Sequence, residues 1–439
     1  MRAIERDDDL SDSERLLRET AANFMAREVA PTVASFEQRE EFDWGLPARL
    51  AQFGYLGGFL EEEQGGYGMS HMDYALLMEE AGYCWHSLRS ILNTMNMAAL
   101  LLARLGTPAQ KERYLAPLLQ GRLRVWVGIT EPDHGSNVAG LQTRAVRQGN
   151  EYLVNGSKLW ITNGAVSEFG ILMARVPPGP DGGPHGITAF IVASTQTTFE
   201  KRRVKTMVLR STVTSELSFN DARVPADNVL GEVGQGLKNI LLALSFGRLS
   251  VAAGAVGAAQ AALDLSLDYA KTRRQFGAAI GSFQLIQKMI VDMRVRTDAA
   301  RQLVRRAART LDRGLPGRLE CSIAKLYSAQ AAHEVADLAL QVHGGMGYSE
   351  GYPIERIYRD TRGAVIPEGT TEIQTLIIGR ELLGISAFGA AAGYGLLPSP
   401  RAAENIAIGQ RPPDETTREG FHGHERSIAD APRRLRHHL

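Results

Sequence analysis

The chain is poor in cysteine. Cys84 and Cys321 are its only two in 439 residues, and neither stands at C-x-x-C or metal-ligand spacing. That excludes a disulfide-stapled scaffold and a cysteine metal site; both thiols are expected to be reduced and inert. No metal is expected elsewhere, and the paired His437 and His438 of the tail are read as incidental. Net charge is missing as well, since 49 basic residues balance 49 acidic ones. Such a balance offers no footprint for nucleic acid or an anionic membrane as the main partner. The opening MRAIERDDDLSDSERLL is acidic and lacks the apolar core of a secretory signal. No apolar run is read as reaching a membrane span; the most apolar stretch, near 249–263, sits between Arg248 and Asp264. The expected location is the cytoplasm.

What is present suits a globular protein, with 44% hydrophobic and 22% charged residues. At 439 residues, two or three cores are expected. Residues 1–125 carry helical periodicity, with Ser11 or Ser13 placed to cap the first helix and Thr107–Pro108 to open a later one. Past Val125 the runs become short and β-rich: VWVGIT, TRAVRQ, EYLVNGSKLWIT, FGILMARV, GITAFIVAS, KRRVKTMV and SELSFNDARV. Gly149–Asn150 and Asn155–Gly156 both read as hairpin turns. PPGPDGGPHG, residues 177–186, reads as a flexible loop. From Gly234 long helices return, rich in small residues that permit close packing. The architecture expected is α+β: an N-terminal helical domain (1–125), a central β-barrel or sandwich domain (126–232) and a C-terminal four-helix bundle (233–388). A tail, 389–439, is expected to be disordered.

Chemistry concentrates between Gln341 and Arg380, in QVHGGMGYSEGYPIERIYRDTRGAVIPEGTTEIQTLIIGR. Its glycines allow close backbone approach to a bulky partner. A lone carboxylate, Glu368, precedes Gly369, two threonines and an apolar helix. One reading makes Thr370 or Thr371 a helix cap and Glu368 a surface charge. The other makes Glu368 a tunable base. Two further motifs, GITEPDHGSN (128–137) and KLWITNG (158–164), set glycines and hydroxyls beside Trp160, an arrangement that suits a planar heterocycle with a phosphate.

Taken together, these motifs with EEEQGGYG, RVPADNVLGEVGQG, YAKTRRQFGAAIGSFQLIQ and IPEGTTEIQ, in this order, resemble the acyl-CoA dehydrogenase family over residues 10–388. The resemblance implies bound FAD and a homotetramer or dimer in which each flavin touches two subunits. It implies that Ile129, Thr130, Gly135, Ser136, Trp160 and Thr162 hold the flavin and pyrophosphate. Arg273, Gln275, Phe276, Ile280, Phe283, Gln341 and Gly345 would reach the adenosine half from a neighbour, and Thr370 and Glu372 would again face FAD. The implied activity is α,β-dehydrogenation of an acyl thioester, on CoA or an acyl-carrier protein. A glutamate removes the α-proton, the flavin takes the β-hydride, and an electron-transfer flavoprotein carries the electrons away. The family places its base at the position of Glu368 or in the long helix, at the position occupied here by Gly247. Glycine cannot act, which leaves Glu368. Arg248 matches an arginine that orients the base; Ser136, Arg248 and Gly369 are expected beside the substrate.

The motifs depart from the family at several places. His134 and Asn137 replace a small residue and an Asp in the flavin turn, Pro367 replaces an aromatic before the base, and Gly351 stands where an acidic residue is common. HSLRSILNTMNMAALL (86–101) is similar to the branch that handles carrier-bound extender units and to glutaryl-CoA dehydrogenase, where the arginine faces a distal carboxylate. Arg89 thus either reads a polar acyl end or pairs within the helical domain. Two competing functions are a flavin monooxygenase or oxidase on the same scaffold, and a silent flavin-binding scaffold.

Overall fold

The computed structural model describes residues 9–179 and 182–387. The tail expected to be disordered, with its two histidines, lies outside the described residues, as do Pro180 and Asp181 of the glycine-rich loop.

The N-terminal domain is helical: α1 (Asp12–Phe24), α2 (Ala30–Arg39), α3 (Leu46–Ala51), α4 (His71–Cys84), α5 (His86–Leu105), α6 (Pro108–Gln110) and α7 (Ala116–Leu119). Ser11, not Ser13, caps α1 in a reciprocal box with Glu14. Ser70 does the same with Asp73 for α4, and Thr107 with Gln110 for α6. Each box satisfies orphan N–H groups at a helix start. The α4–α5 pair is buried almost throughout and has few polar residues.

The central domain is one eight-stranded sheet: β1 (Val125–Gly128), β2 (Arg144–Gln148), β3 (Glu151–Ile161), β4 (Phe169–Val176), β5 (Gly186–Ala193), β6 (Glu200–Arg203), β7 (Ser215–Pro225) and β8 (Val229–Leu230). Its order is β6-β7-β3-β2-β4-β5-β8, with β1 parallel to β4 off that path. Gly149–Asn150 is the two-residue turn joining β2 to β3, as its composition predicts. Asn155–Gly156 is not a turn. It lies inside β3, where the register against β7 slips between Val154 and Gly156, and Gly156 takes φ 141°. Local chemistry that permits a hairpin equally permits a β-bulge, and pairing on both flanks decides for the bulge.

The C-terminal domain holds α8 (Gly236–Thr272), a small ribbon of β9 (Arg274–Gln275) and β10 (Ala278–Ala279), then α9 (Gln284–Asp312), α10 (Arg318–His343), α11 (Pro353–Ala364) and α12 (Thr371–Leu383). The 37-residue α8 is the axis of the molecule, packing on α4, α5, α9, α10 and α11. By length and composition it could cross a membrane, contrary to the expectation that no segment could, but 78% of its apolar window is buried inside the protein. Glycines make that packing possible. A β-carbon on Gly82 would stand 2.3 Å from Gly254 O, one on Gly254 2.7 Å from Arg89 Cγ, and one on Gly257 2.0 Å from Glu79 O. Buried ion pairs Arg18–Glu80 and Arg301–Glu79 fix α1 and α9 to α4.

Candidate active site

Glu368 sits between α11 and α12, in the turn that ends the Ile366–Pro367 approach. It adopts the left-handed conformation, φ 59°, followed by Gly369 at φ 93°. A non-glycine residue there costs about 1–3 kcal/mol, so the turn must be held from outside. Gln374 Nε2 donates to the carbonyls of Glu368 (2.9 Å) and Gly369 (3.0 Å). Lys325 Nζ, from α10, donates to Gly369 O (2.8 Å) and Val365 O (3.2 Å). Arg248 Nε reaches Glu368 O at 3.3 Å. Three buried donors from three helices thus tie down one turn.

That turn directs the side chain inward. The residue as a whole is half-buried, yet its Oε2 is sealed from solvent and has no hydrogen-bond partner. Oε1 accepts a 2.9 Å hydrogen bond from Asn93 Nδ2 on α5. The carboxyl lies against Gly247, where a β-carbon would come within 2.8 Å of Cδ. Of the two readings open in the sequence, the cap belongs to Thr370, whose side chain accepts from Ile373 N, while Glu368 is not a surface charge. Burial pushes its carboxyl above the ordinary range; the Asn93 hydrogen bond, then the charges of Arg248, Arg89 and Lys325, oppose that rise.

Those three cations have no carboxylate ion pair among the described residues. Burial brings Arg248 and Arg89 each down to about 10 and Lys325 down to about 8. Arg89 is 1% exposed. Its Nη2 donates to His86 Nε2 at 3.2 Å, and its Nε has no partner. His86 Nδ1 and Asn93 Oδ1 are likewise buried and without a hydrogen bond.

The expected flavin residues form a platform on the β domain. Trp160 is 57% exposed and has φ 63°, on a second register slip of β3 between Lys158 and Ile161. A bulge re-aims a side chain, and here it presents an indole face to solvent. Leu159 N donates to Thr130 O at 2.9 Å, which joins the two motifs. Beneath, Lys158 pairs with Glu131 at 2.7 Å and donates to Ile129 O. Gly135 is exposed, with open space where a side chain would be. Ser136 is exposed and Thr162 half-buried beside it in sequence with the bulge. The replaced residues keep the turn: Glu131 and His134 exchange backbone hydrogen bonds, and Asn137 Oδ1 accepts from Gly140 N. An open platform with an exposed aromatic face fits a planar cofactor.

The second expected group lies on the bundle, separate from this platform. Arg273, Gln275, Phe276, Gln341 and Gly345 are exposed, and Phe276 is 95% exposed at the tip of the β9–β10 ribbon with φ 50°. Phe283 is half-buried and packs edge-on to Phe276, while Ile280 is taken into the bundle core. Glu372 is exposed in the first turn of α12. Around Glu368 the structure brings together Arg89, Arg248 and Gly369, and adds Asn93, Lys325 and Gln374, which the motifs did not single out. Asn93 had a legible signal: it stands four residues after Arg89, on the same helical face. Lys325 and Gln374 act on backbone carbonyls, for which a sequence carries no mark.

The chain thus runs helical, sheet, helical, with a carboxyl turned inward between α8 and α12, without an ion pair among the described residues, and an exposed aromatic platform on the sheet. Residues 11–122, 127–222 and 234–383 match the models of the acyl-CoA dehydrogenase N-terminal, middle and C-terminal domains. The chain belongs to the acyl-CoA dehydrogenase family, oxidoreductases acting on CH–CH bonds. It is 39% identical over 379 residues to a probable acyl-CoA dehydrogenase of Bacillus subtilis, YngJ, covering 85% of this chain and 99% of that protein. It is 37% identical, with the same coverage, to CarC, the caffeyl-CoA reductase–Etf complex subunit of Acetobacterium woodii. Among solved structures, butyryl-CoA dehydrogenase of Megasphaera elsdenii superposes with a TM-score of 0.80 at 36% identity, over 86% of this chain and 100% of that one. A glutaryl-CoA dehydrogenase of Mycobacterium smegmatis in complex with FADH2 gives 0.81 at 29% identity, over 87% and 98%. The prolyl acyl carrier protein oxidase AnaB gives 0.79 at 29%, over 85% and 100%.

Proposed function

We propose that this protein is an FAD-dependent enzyme that introduces an α,β double bond into an acyl thioester, with Glu368 removing the α-proton. The single observation that carries the reading is the carboxyl of Glu368: turned inward, desolvated, held by one neutral amide and free of any ion pair. A carboxylate neutralised by an adjacent cation would be a poor base at neutral pH, whereas one raised by burial is suited to proton transfer.

The residues divide the work. Ile129, Thr130, Gly135, Ser136, Trp160 and Thr162 would hold the flavin on the sheet domain. FAD, when bound, supplies the two-electron acceptor for the β-hydride. The turn at Glu368–Gly369 fixes the base, and its tied carbonyls set the direction of the neighbouring N–H groups, which suit an oxyanion as charge develops. Arg248, Arg89 and Lys325 surround one carboxylate with three cations, so the site tolerates negative charge arriving with the substrate. Arg89, with its own unmet Nε and the unmet Nδ1 of His86, suits a short acyl group with a polar or acidic end.

The exposed set Arg273, Gln275, Phe276, Gln341, Gly345, with Thr370 and Glu372, suits the adenosine half of a cofactor shared with a second copy, consistent with a homo-oligomer. The likeness to an Etf-complex subunit supports an electron-transfer flavoprotein as acceptor. The likeness to an acyl-carrier-protein oxidase favours a second reading, in which the acyl group rides on a carrier protein and oxygen takes the electrons. An anaerobic screen of acyl-CoAs and acyl-carrier proteins tests both: flavin bleaching with any thioester supports dehydrogenation, and flavin that stays yellow with all of them contradicts it. Reoxidation in air then separates acceptor from oxidase.

A further inference from the structure

We propose that Asn93 is the positioning residue of the base: its amide clamps Oε1 of Glu368 and leaves Oε2 as the atom that receives the proton. The inference rests on the reading of Glu368 as base and adds to it a residue and an atom. Asn93 and Glu368 come from different domains, 275 residues apart, and meet at 2.9 Å. Asn93 is 4% exposed, so its amide meets little competition from water. Its second amide hydrogen faces Met97 Sδ at 3.6 Å, which fixes the direction of the donor. Among the described residues no other side chain hydrogen-bonds the carboxyl; Lys325 and Gln374 donate to backbone carbonyls, and Arg248 to Glu368 O and Ser245 Oγ.

Gly247 forms the floor and Asn93 the clamp, so the carboxyl cannot turn about its own bond without losing its one partner. Oε2, buried and unpartnered, keeps its lone pairs for the substrate. The residue type matters. A lysine or arginine at this position would orient the carboxylate equally well but would lower its pKa by about 1–3 units, weakening the base. A neutral amide orients without neutralising, and it has no titration of its own to compete for the proton. It donates equally to Oε1 when Oε2 carries the proton, so the clamp survives the transfer.

The test uses the flavin-loaded enzyme with Asn93→Leu and Asn93→Asp, beside Glu368→Gln. Loss of one hydrogen bond to a charged group should lower kcat about 10- to 100-fold, leave KM and flavin content near wild type, and move the acid limb of the kcat profile to higher pH. Infrared titration of substrate-free enzyme, with the Glu368 band assigned by its absence in Glu368→Gln, should show the same upward move. Asn93→Asp, nearly the same shape, puts a second carboxylate on the first; turnover should vanish at neutral pH and partly return in alkali. Wild-type kcat in Asn93→Leu, or lowered thermal stability with an unmoved infrared titration in either variant, overturns the assignment. If Glu368→Gln itself turns over, the base reading falls and the clamp with it. If Glu368→Gln is dead while the Asn93 titrations do not move, only the clamp falls.

Discussion

The carboxyl of Glu368 rests on the α-carbon of Gly247, close enough that a β-carbon there would stand 2.8 Å from both Cδ and Oε2. These are the two positions at which the family places its base, and in this fold they converge on one point in space. The glycine is therefore more than an absent catalyst. It is the room that a glutamate arriving from the other side occupies, and a side chain at 247 would displace that carboxyl from its present place.

Gly247→Ala should accordingly fold and still misplace the base. The contact is with the far end of a flexible side chain, so Glu368 can swing away at small cost. A displacement of about 1 Å at a reacting group can cost on the order of 100-fold in rate. Rapid-mixing measurement of flavin reduction should show that loss with a melting temperature near wild type; an unchanged rate contradicts the packing.

Gln374→Leu should loosen the turn itself. It removes donors to Glu368 O and Gly369 O, and the left-handed Glu368 loses part of what holds it. Arg248 still donates to Glu368 O and Lys325 to Gly369 O, so each lost hydrogen bond is worth about 0.5–1.5 kcal/mol. Hydrogen exchange should show faster amide exchange over residues 365–371 with α8 and α10 unchanged, and uniform protection across the protein would count against this account.

Arg89→Met should separate recognition from structure. Removing a buried cation with no carboxylate partner is expected to leave stability unchanged or raise it. Activity should fall far more with carboxylated or hydroxylated acyl groups than with straight-chain ones, read as kcat/KM for each. An equal fall across both makes Arg89 a packing residue.

Asp360→Asn should change how stability depends on pH. Asp360 is 1% exposed; burial first, then the charge of Glu37, raise its carboxyl to about 7, with the Leu209 N–H, Arg359 and Arg356 opposing. Glu37 Oε1 accepts from Trp85, Ser87 and Ser211, so the two acids join all three domains. A folded-state pKa raised from 3.8 means the native state holds its proton more tightly. Stability from this group is then full below the unfolded value and is lost as pH rises through the folded one. Denaturant titrations should find Asp360→Asn more stable than wild type at mildly alkaline pH, with the gap closing in acid. A gap that is constant with pH refutes the linkage.

Much of this was legible in the chain because the relevant signals are local. Ser11, one of two candidates, and Thr107 cap helices where the sequence placed helix starts. The Gly149–Asn150 turn and the inward role of Glu368 were also readable, the latter only through the ordered motifs around it. Asn155–Gly156 misled because a bulge and a hairpin want the same backbone freedom, and only the β7 partner decides between them. α8 passes for a membrane segment by composition because it is the buried axis of a bundle. Lys325 and Gln374 went unmarked because the carbonyls they contact are set by the approach of α10 and α12, and a long-range approach leaves no trace in spacing.

The central claim is that Glu368 takes a proton from the carbon next to a thioester carbonyl. It is tested most directly by exchange of that hydrogen with solvent: acyl-CoA incubated anaerobically in deuterium oxide with wild type and with Glu368→Gln of equal flavin content. The account predicts deuterium at the α-carbon with wild type and a rate lower by a factor of about 100 to 10,000 or more in the variant. Exchange at the wild-type rate by Glu368→Gln would contradict it.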